Sequence, residues 1–206
     1  MEHERCVPAT PEAIARAAQI IADGGVIAFP TDTVYGLACD LFNPAAVRRI
    51  YTIKGRSHAM PLIAMIADTS RWDAVAATVP SGARILSERW WPGPLTIIVP
   101  AHRQVPAEAL GGGATLGVRI PDHPIALALL REANRPLATT SANRSGHPAA
   151  CSAQEVADTL GDMVDLILDA GPGAQGVPST VVDCTVTPPR ILREGKLTAA
   201  MLGLLR

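Results

Sequence analysis

Lys54-Gly55-Arg56 sets two cations one glycine apart. In a tight turn both can face one polyanion, the ammonium as a point charge and the guanidinium as a two-pronged donor. The same tripeptide also suits an ordinary helix end, where cations are favoured by the exposed carbonyls. Three residues alone do not separate these readings. Lysine stands only at positions 54 and 196, and arginine is the default basic residue of the chain. A lone arginine is therefore weaker evidence of a phosphate contact than Lys54 is.

Gly117-Val118-Arg119-Ile120-Pro121 places an arginine among apolar neighbours. A charge on a mostly buried strand needs a partner, either an internal Asp or Glu or the carboxylate of a ligand. Ser141-Ala142-Asn143 follows Leu137-Ala138-Thr139-Thr140, so small hydroxyls and an amide gather where a strand ends. They suit a polar ligand or simple turn capping. Pro178-Ser179-Thr180 and Leu192-Arg193-Glu194-Gly195 pose the same question.

Other chemistries are excluded. Gly171-Pro172-Gly173-Ala174-Gln175-Gly176 fits G-x-G-x-x-G, but Val177 to Val182 reads as a strand. Without a helix N-terminus there is no pyrophosphate site, so a mobile glycine-rich loop is expected. Gly195-Lys196 is followed by Leu197, which rules out a P-loop, and no G-x-S-x-G elbow is present. Cys6, Cys39, Cys151 and Cys184 form no C-x-x-C pair and the histidines no H-x-x-x-H, so protein metal ligands are not expected.

The elements that must position these residues follow from caps, breakers and apolar runs. Helices are predicted from Thr10-Pro11 to Gly24-Gly25, from Asn43-Pro44 toward Ile53, and as two pieces between Ser70 and Trp91 broken near Pro80. Asp122 is expected to cap a further helix through about Asn134. Ser152-Ala153-Gln154-Glu155 reads as a capping box, and a last short helix spans 198–205. Strands are predicted at 26–29, 62–66, 95–99, 115–120, 136–139, 166–168, 180–183 and 191–192. Trp90-Trp91 reads as core rather than a stacking platform. The alternation argues for an α/β domain, and the paired strands near the C-terminus for a mixed sheet.

The 206 residues suffice for a single domain with its own core. A net charge of -1 excludes a globally basic nucleic-acid binder, and 3% aromatics weigh against base stacking on a sheet. No apolar run reaches membrane-span length, and Met1-Glu2-His3-Glu4-Arg5 is unlike a signal peptide, so a cytoplasmic location is expected.

Six ordered blocks together resemble one family. They are the stretch from Gly25 to Leu37 (GVIAFPTDTVYGL), Lys54-Gly55-Arg56, Trp91-Pro92-Gly93-Pro94-Leu95-Thr96, Ser141-Ala142-Asn143, the stretch from Pro178 to Asp183 (PSTVVD) and Arg193-Glu194-Gly195. The chain is similar to the YrdC-like proteins, the threonylcarbamoyl-AMP synthases, over roughly residues 12 to 196. The resemblance implies a twisted mixed sheet with flanking helices and a large open cavity. It implies synthesis of threonylcarbamoyl-AMP from L-threonine, bicarbonate and ATP, with Mg²⁺ carried on the ATP. The product would serve t6A modification of tRNAs reading ANN codons, through a TsaD, TsaB and TsaE transferase complex.

The same resemblance assigns roles. Lys54 and Arg56 would be catalytic, holding the phosphates and the carbamate region, with Thr115, Ser141, Asn143 and Arg193 also on the nucleotide. Arg119 would take the threonine carboxylate, and Thr33, Thr139 and Ser179 would complete the amino-acid pocket. The 171–176 loop would act as a lid. Met60 and Met65 depart from the Asn and His found in many members, which motivates a diverged paralogue as an alternative. A double-stranded RNA or tRNA-binding module, drawn by Lys54, Arg56, Arg119, Arg144 and Arg193, is a third reading. The chain ends at Arg206, so the extra C-terminal domain of longer members is expected to be absent.

Overall fold

Thr10 Oγ1 accepts the Ala13 N–H and opens α1 (Pro11–Ala22). Asn43 Oδ1 accepts the N–H groups of Ala45 and Ala46 and opens α2 (Pro44–Lys54). Gly55 ends α2 at φ +58°, a left-handed conformation that glycine adopts without the Cβ penalty. The computed structural model that shows these contacts describes residues 5–171 and 176–204. The expected lid at 171–176 therefore lies mostly outside the described residues.

Between the predicted helices the chain forms a ten-stranded mixed sheet. In chain order the strands are β1 (Cys6–Pro8), β2 (Ile27–Phe29), β3 (Gly36–Asp40), β4 (Ile63–Met65), β5 (Leu95–Pro100), β6 (Thr115–Arg119), β7 (Leu137–Ser141), β8 (Leu166–Asp169), β9 (Thr180–Asp183) and β10 (Arg190–Arg193). Their spatial order is β1-β8-β2-β3-β7-β4-β6-β5-β9-β10. β4 runs parallel to β6 and antiparallel to β7, while β5 is antiparallel to β6 and parallel to β9.

The remaining helices are α3 (Trp72–Val75), α4 (Ser81–Trp90), α5 (Pro124–Ala133), α6 (Ala153–Leu160) and α7 (Ala199–Leu202). Strand side chains alternate between two cores, as the pleat requires. Ala28, Leu37, Cys39, Ala138 and Ile167 join one core with residues of α2, α4 and α6. Ile27, Ala38, Leu137, Leu166 and Leu168 join the other with α1 and α5. Trp91 stacks on Trp72 with ring centroids 5.0 Å apart, so it belongs to the packing of this domain.

Three expectations need correction. Asp122 does not cap α5. His123 stands at that position with no capping bond, Pro124 starts the helix, and the Asp122 N–H donates instead to Asp32 Oδ1. The first half of the 70–91 segment is one helical turn, α3, preceded by a short 3₁₀ turn. α7 stops at Leu202, because Gly203 turns to φ +68°. Two strands, β1 and β3, have no counterpart in the sequence reading. Among the described residues no helix is long and apolar enough to cross a membrane.

Candidate active site

The sheet face covered by α1 and α5 is only half covered. Ala38 pairs with Thr139, Thr139 with Ile63, Ile63 with Gly117, and Gly117 with Ile98, so these residues share that face. From Thr139 onward the face is open. It forms the floor of a cavity of about 470 Å³, within the range of small-molecule sites. The walls include Thr33, Arg56, Met65, Ser141, Ser179 and Arg193.

Arg119 closes β6 at one end of this floor and is only 2% exposed. Its Nε–H donates to Gly93 O at 3.0 Å, Nη1 to Thr33 Oγ1 at 3.0 Å and Nη2 to Asp32 Oδ1 at 2.6 Å. Thr33 is held in turn by Thr31, whose Oγ1 lies 3.0 Å from the Thr33 hydroxyl and caps the Thr31–Val34 turn. The sequence offered Arg119 either an internal acid or a ligand carboxylate. The internal acid exists, and it is Asp32. Burial depresses the Arg119 pKa, Asp32 raises it, and Arg193 lowers it again.

At the other end, the left-handed Gly55 lets the side chains on either side reach the end of β7. Arg56 Nη1 donates to Thr140 Oγ1 at 3.0 Å, and its buried Nε–H has no partner among the described residues. Arg193 donates twice to Ser179 O, at 3.3 Å and 2.8 Å, and also to Ser179 Oγ, which sits 2.9 Å from Thr96 Oγ1. Gly195 makes this approach possible: a Cβ there would lie 2.2 Å from Pro178 O. Burial lowers both Arg56 and Arg193, and Arg56 lowers Arg193 further.

Lys54 stands behind the wall rather than on it. It is 3% exposed, and its Nζ donates to Ser141 O at 2.5 Å, Asn143 O at 2.8 Å and Asn143 Oδ1 at 3.0 Å. All three ammonium donors hold the Ser141-Ala142-Asn143 turn. Burial, then Arg56, push its pKa down to about 8. Asn143 likewise braces the turn, accepting from Ser141 Oγ at 2.6 Å and donating to the carbonyls of Arg144 and His147.

The remaining expected residues divide. Thr139 lies on the cavity floor, with its hydroxyl donating to Ile63 O at 3.3 Å. Thr115 is exposed at the start of β6, on the face of Gly117 and Arg119 but beyond the lining. Of the two methionines, Met65 lines the cavity and pairs with Arg119 across β4 and β6. Met60 is 48% exposed and away from it, its carbonyl accepting from Tyr51 Oη. Met60 thus does not line the cavity. Asp32, Thr96 and Thr140 escaped the sequence reading as site residues. Asp32 had a signal, since it lies in the polar turn after β2 and a buried arginine needs an acid.

The charges are unevenly matched. Lys54, Arg56 and Arg193 are held by carbonyls and hydroxyls, with no carboxylate among their hydrogen-bond partners within the described residues. Of these four site cations, Arg119 alone is ion-paired among the described residues. One end therefore suits a polyanion and the other a single carboxylate.

A family model named for Sua5, YciO and YrdC, and described as telomere recombination, matches residues 19–195. The threonylcarbamoyl-AMP synthase of Pyrococcus abyssi is 44% identical over 181 residues, 88% of this chain and 53% of the relative. That of Bacillus subtilis is 43% identical over 186 residues, 90% of this chain and 54% of the relative. The chain thus spans about half the length of these curated relatives. The solved structure of P. abyssi Sua5 complexed with L-threonine matches with a TM-score of 0.92 at 40% identity, covering 98% of this chain and 60% of that one.

Proposed function

This chain belongs to the Sua5–YciO–YrdC family, and from that premise we propose that it joins L-threonine, bicarbonate and ATP into threonylcarbamoyl-AMP, releasing pyrophosphate. The observation that carries the reading is the cavity with two electrically different ends. Two relatives at more than 40% identity are named for this synthesis, and the Sua5 complex holds L-threonine.

The chemistry gives each end its task. The threonine amine captures carbon dioxide as a carbamate, losing a proton. A carbamate oxygen then attacks the α-phosphorus, and pyrophosphate leaves. Both reactants are anions, so fixed cations must offset their repulsion where charge develops. Arg56 and Arg193 face the triphosphate and the carbamate. Lys54 holds the Ser141–Asn143 turn against the same phosphates and adds its charge from behind. Thr115 at the rim meets the outer part of the nucleotide. Arg119 takes the amino-acid carboxylate, with Thr33, Thr139 and Ser179 around the amine and hydroxyl. The nucleotide enters as its magnesium complex. In this reading the ion is carried on the phosphates. No covalent nucleophile is required, because positioning and charge stabilisation carry the step.

The adenylate is the activated half of a transfer to tRNA, and a TsaD–TsaB–TsaE complex in the cytoplasm is the proposed acceptor system. The test is pyrophosphate release with ATP, bicarbonate and Mg²⁺, with and without threonine. Release that does not depend on threonine, or none at all, overturns the reading.

A further inference from the structure

Arg119 lines the cavity and Asp32 does not, so the acid meets the guanidinium from the side away from ligand space. The pair is buried, with side chains 3% and 10% exposed. A guanidinium has five N–H bonds. Gly93, Thr33 and Asp32 engage one on each nitrogen, which leaves one on Nη1 and one on Nη2 without a partner among the described residues.

Asp32 is itself fixed. Its Oδ1 also accepts the Asp122 N–H at 3.1 Å, which ties the turn after β2 to the chain just beyond β6. Its Oδ2 is buried and has no hydrogen-bond partner among the described residues. An unmatched carboxylate oxygen is costly to bury. The local turn does not need the acid, because the Thr31 hydroxyl already satisfies the N–H groups of Thr33 and Val34. Besides accepting the Asp122 N–H, the acid's only side-chain partner among the described residues is Arg119.

We infer that Asp32 is a positioning residue for the amino-acid substrate: it pins the Arg119 guanidinium from behind, so that the two remaining N–H bonds are presented to the substrate carboxylate. This rests on the reading of the cavity as an amino-acid and nucleotide site. Arg119 touches the substrate, and Asp32 acts only through it. An unpinned guanidinium would retain its charge but lose its orientation. The loss would therefore fall on the amino acid and leave ATP untouched.

The test compares the unaltered protein, Asp32→Asn, Asp32→Glu, Arg119→Gln and the double variant Asp32→Asn/Arg119→Gln. Steady-state pyrophosphate release gives KM and kcat, and calorimetry gives threonine binding. Asp32→Asn should raise the KM for threonine by about tenfold, the scale of one charge-assisted hydrogen bond, with the KM for ATP little changed. Asp32→Glu, which restores the carboxylate, should recover most of the loss. The double variant should have the same kcat/KM for threonine as Arg119→Gln alone, because the two residues act as one unit. If Asp32→Asn leaves the buried arginine uncompensated and does not fold, the double variant retains neither charge and carries the same comparison. A rise in both KM values together, or a double variant weaker than Arg119→Gln, overturns the inference. If the unaltered protein binds threonine and Asp32→Asn binds it equally well, only this inference falls. If the unaltered protein binds no threonine, the proposed function falls and takes this inference with it.

Discussion

Lys54 grips Asn143 twice, its ammonium donating to the backbone carbonyl at 2.8 Å and to the side-chain oxygen at 3.0 Å. The end of α2 and the turn after β7 are thereby locked together across 89 residues of sequence. Two motifs far apart in the chain are one mechanical unit.

Lys54→Met should abolish most turnover while leaving the domain folded. The methionine fills the same buried channel but removes three hydrogen bonds and leaves Asn143 O without a donor among the described residues, which costs about 1–3 kcal/mol for a buried carbonyl, while Ser141 O and Asn143 Oδ1 keep the Asn143 N–H and the Ser141 hydroxyl. A urea titration should show a clear loss of stability, and pyrophosphate release should fall at saturating threonine. Wild-type turnover in this variant would exclude the bracing role.

Nucleotide binding should depend on pH through Lys54. Its folded pKa, about 8, lies below the ordinary 10.5, so in the free protein the charge is lost as pH rises through about 8. ATP affinity without amino acid should therefore weaken above that pH. A bound polyanion favours the ammonium, so binding above pH 8 should take up a proton, measurable by calorimetry in buffers of different ionisation enthalpy. The stability sign runs the other way. Between about 8 and 10.5 the unfolded chain binds more protons at this site, so the Lys54 contribution to stability rises with pH across that window.

Gly195→Ala places a methyl carbon 2.2 Å from Pro178 O, a backbone atom that cannot swing aside. The β9 and β10 segments must part, at a cost of about 1–3 kcal/mol. Arg193 moves with them, so the KM for ATP should rise more than the KM for threonine. Thermal unfolding and initial rates check the two halves of this outcome separately.

Met65 forms an apolar wall beside Arg119, where a substrate methyl group would pack. The unaltered protein should prefer threonine over serine by about tenfold or more, the discrimination one methyl group supports in an apolar pocket. Met65→Ala should narrow that preference. An amino-acid panel read by pyrophosphate release measures it, and a preference unchanged by the substitution would remove Met65 from the specificity surface.

Much of the fold is legible in the chain because its signals are local. Thr10, Asn43 and Ser152 sit where caps belong, and each accepts the expected backbone N–H. β3 was illegible because Gly36-Leu37-Ala38-Cys39-Asp40 has little strand propensity of its own. It is extended because β2 and β7 supply hydrogen bonds on both sides. β1 is three residues ending in proline, and it exists by pairing with β8, more than 150 residues away. The motif residues were visible at the site, but their partners were not. Arg119 and Asp32 are 87 positions apart, so the acid could be required by burial yet not chosen from the sequence. Lys54 read as a free cation, and only the folded turn shows its three donors already engaged.

The uneven matching of charges has a consequence in salt. In the proposed reading Arg56 and Arg193, together with Lys54 behind them, would attract a nucleotide through uncompensated charge, and added ions would screen that attraction within about 8–10 Å at ordinary ionic strength. Arg119, neutralised by a buried acid, contributes almost nothing at long range and acts by contact. Raising sodium chloride should therefore slow ATP capture steeply while leaving threonine recognition nearly indifferent, and at high salt the first substrate to become limiting should be the nucleotide.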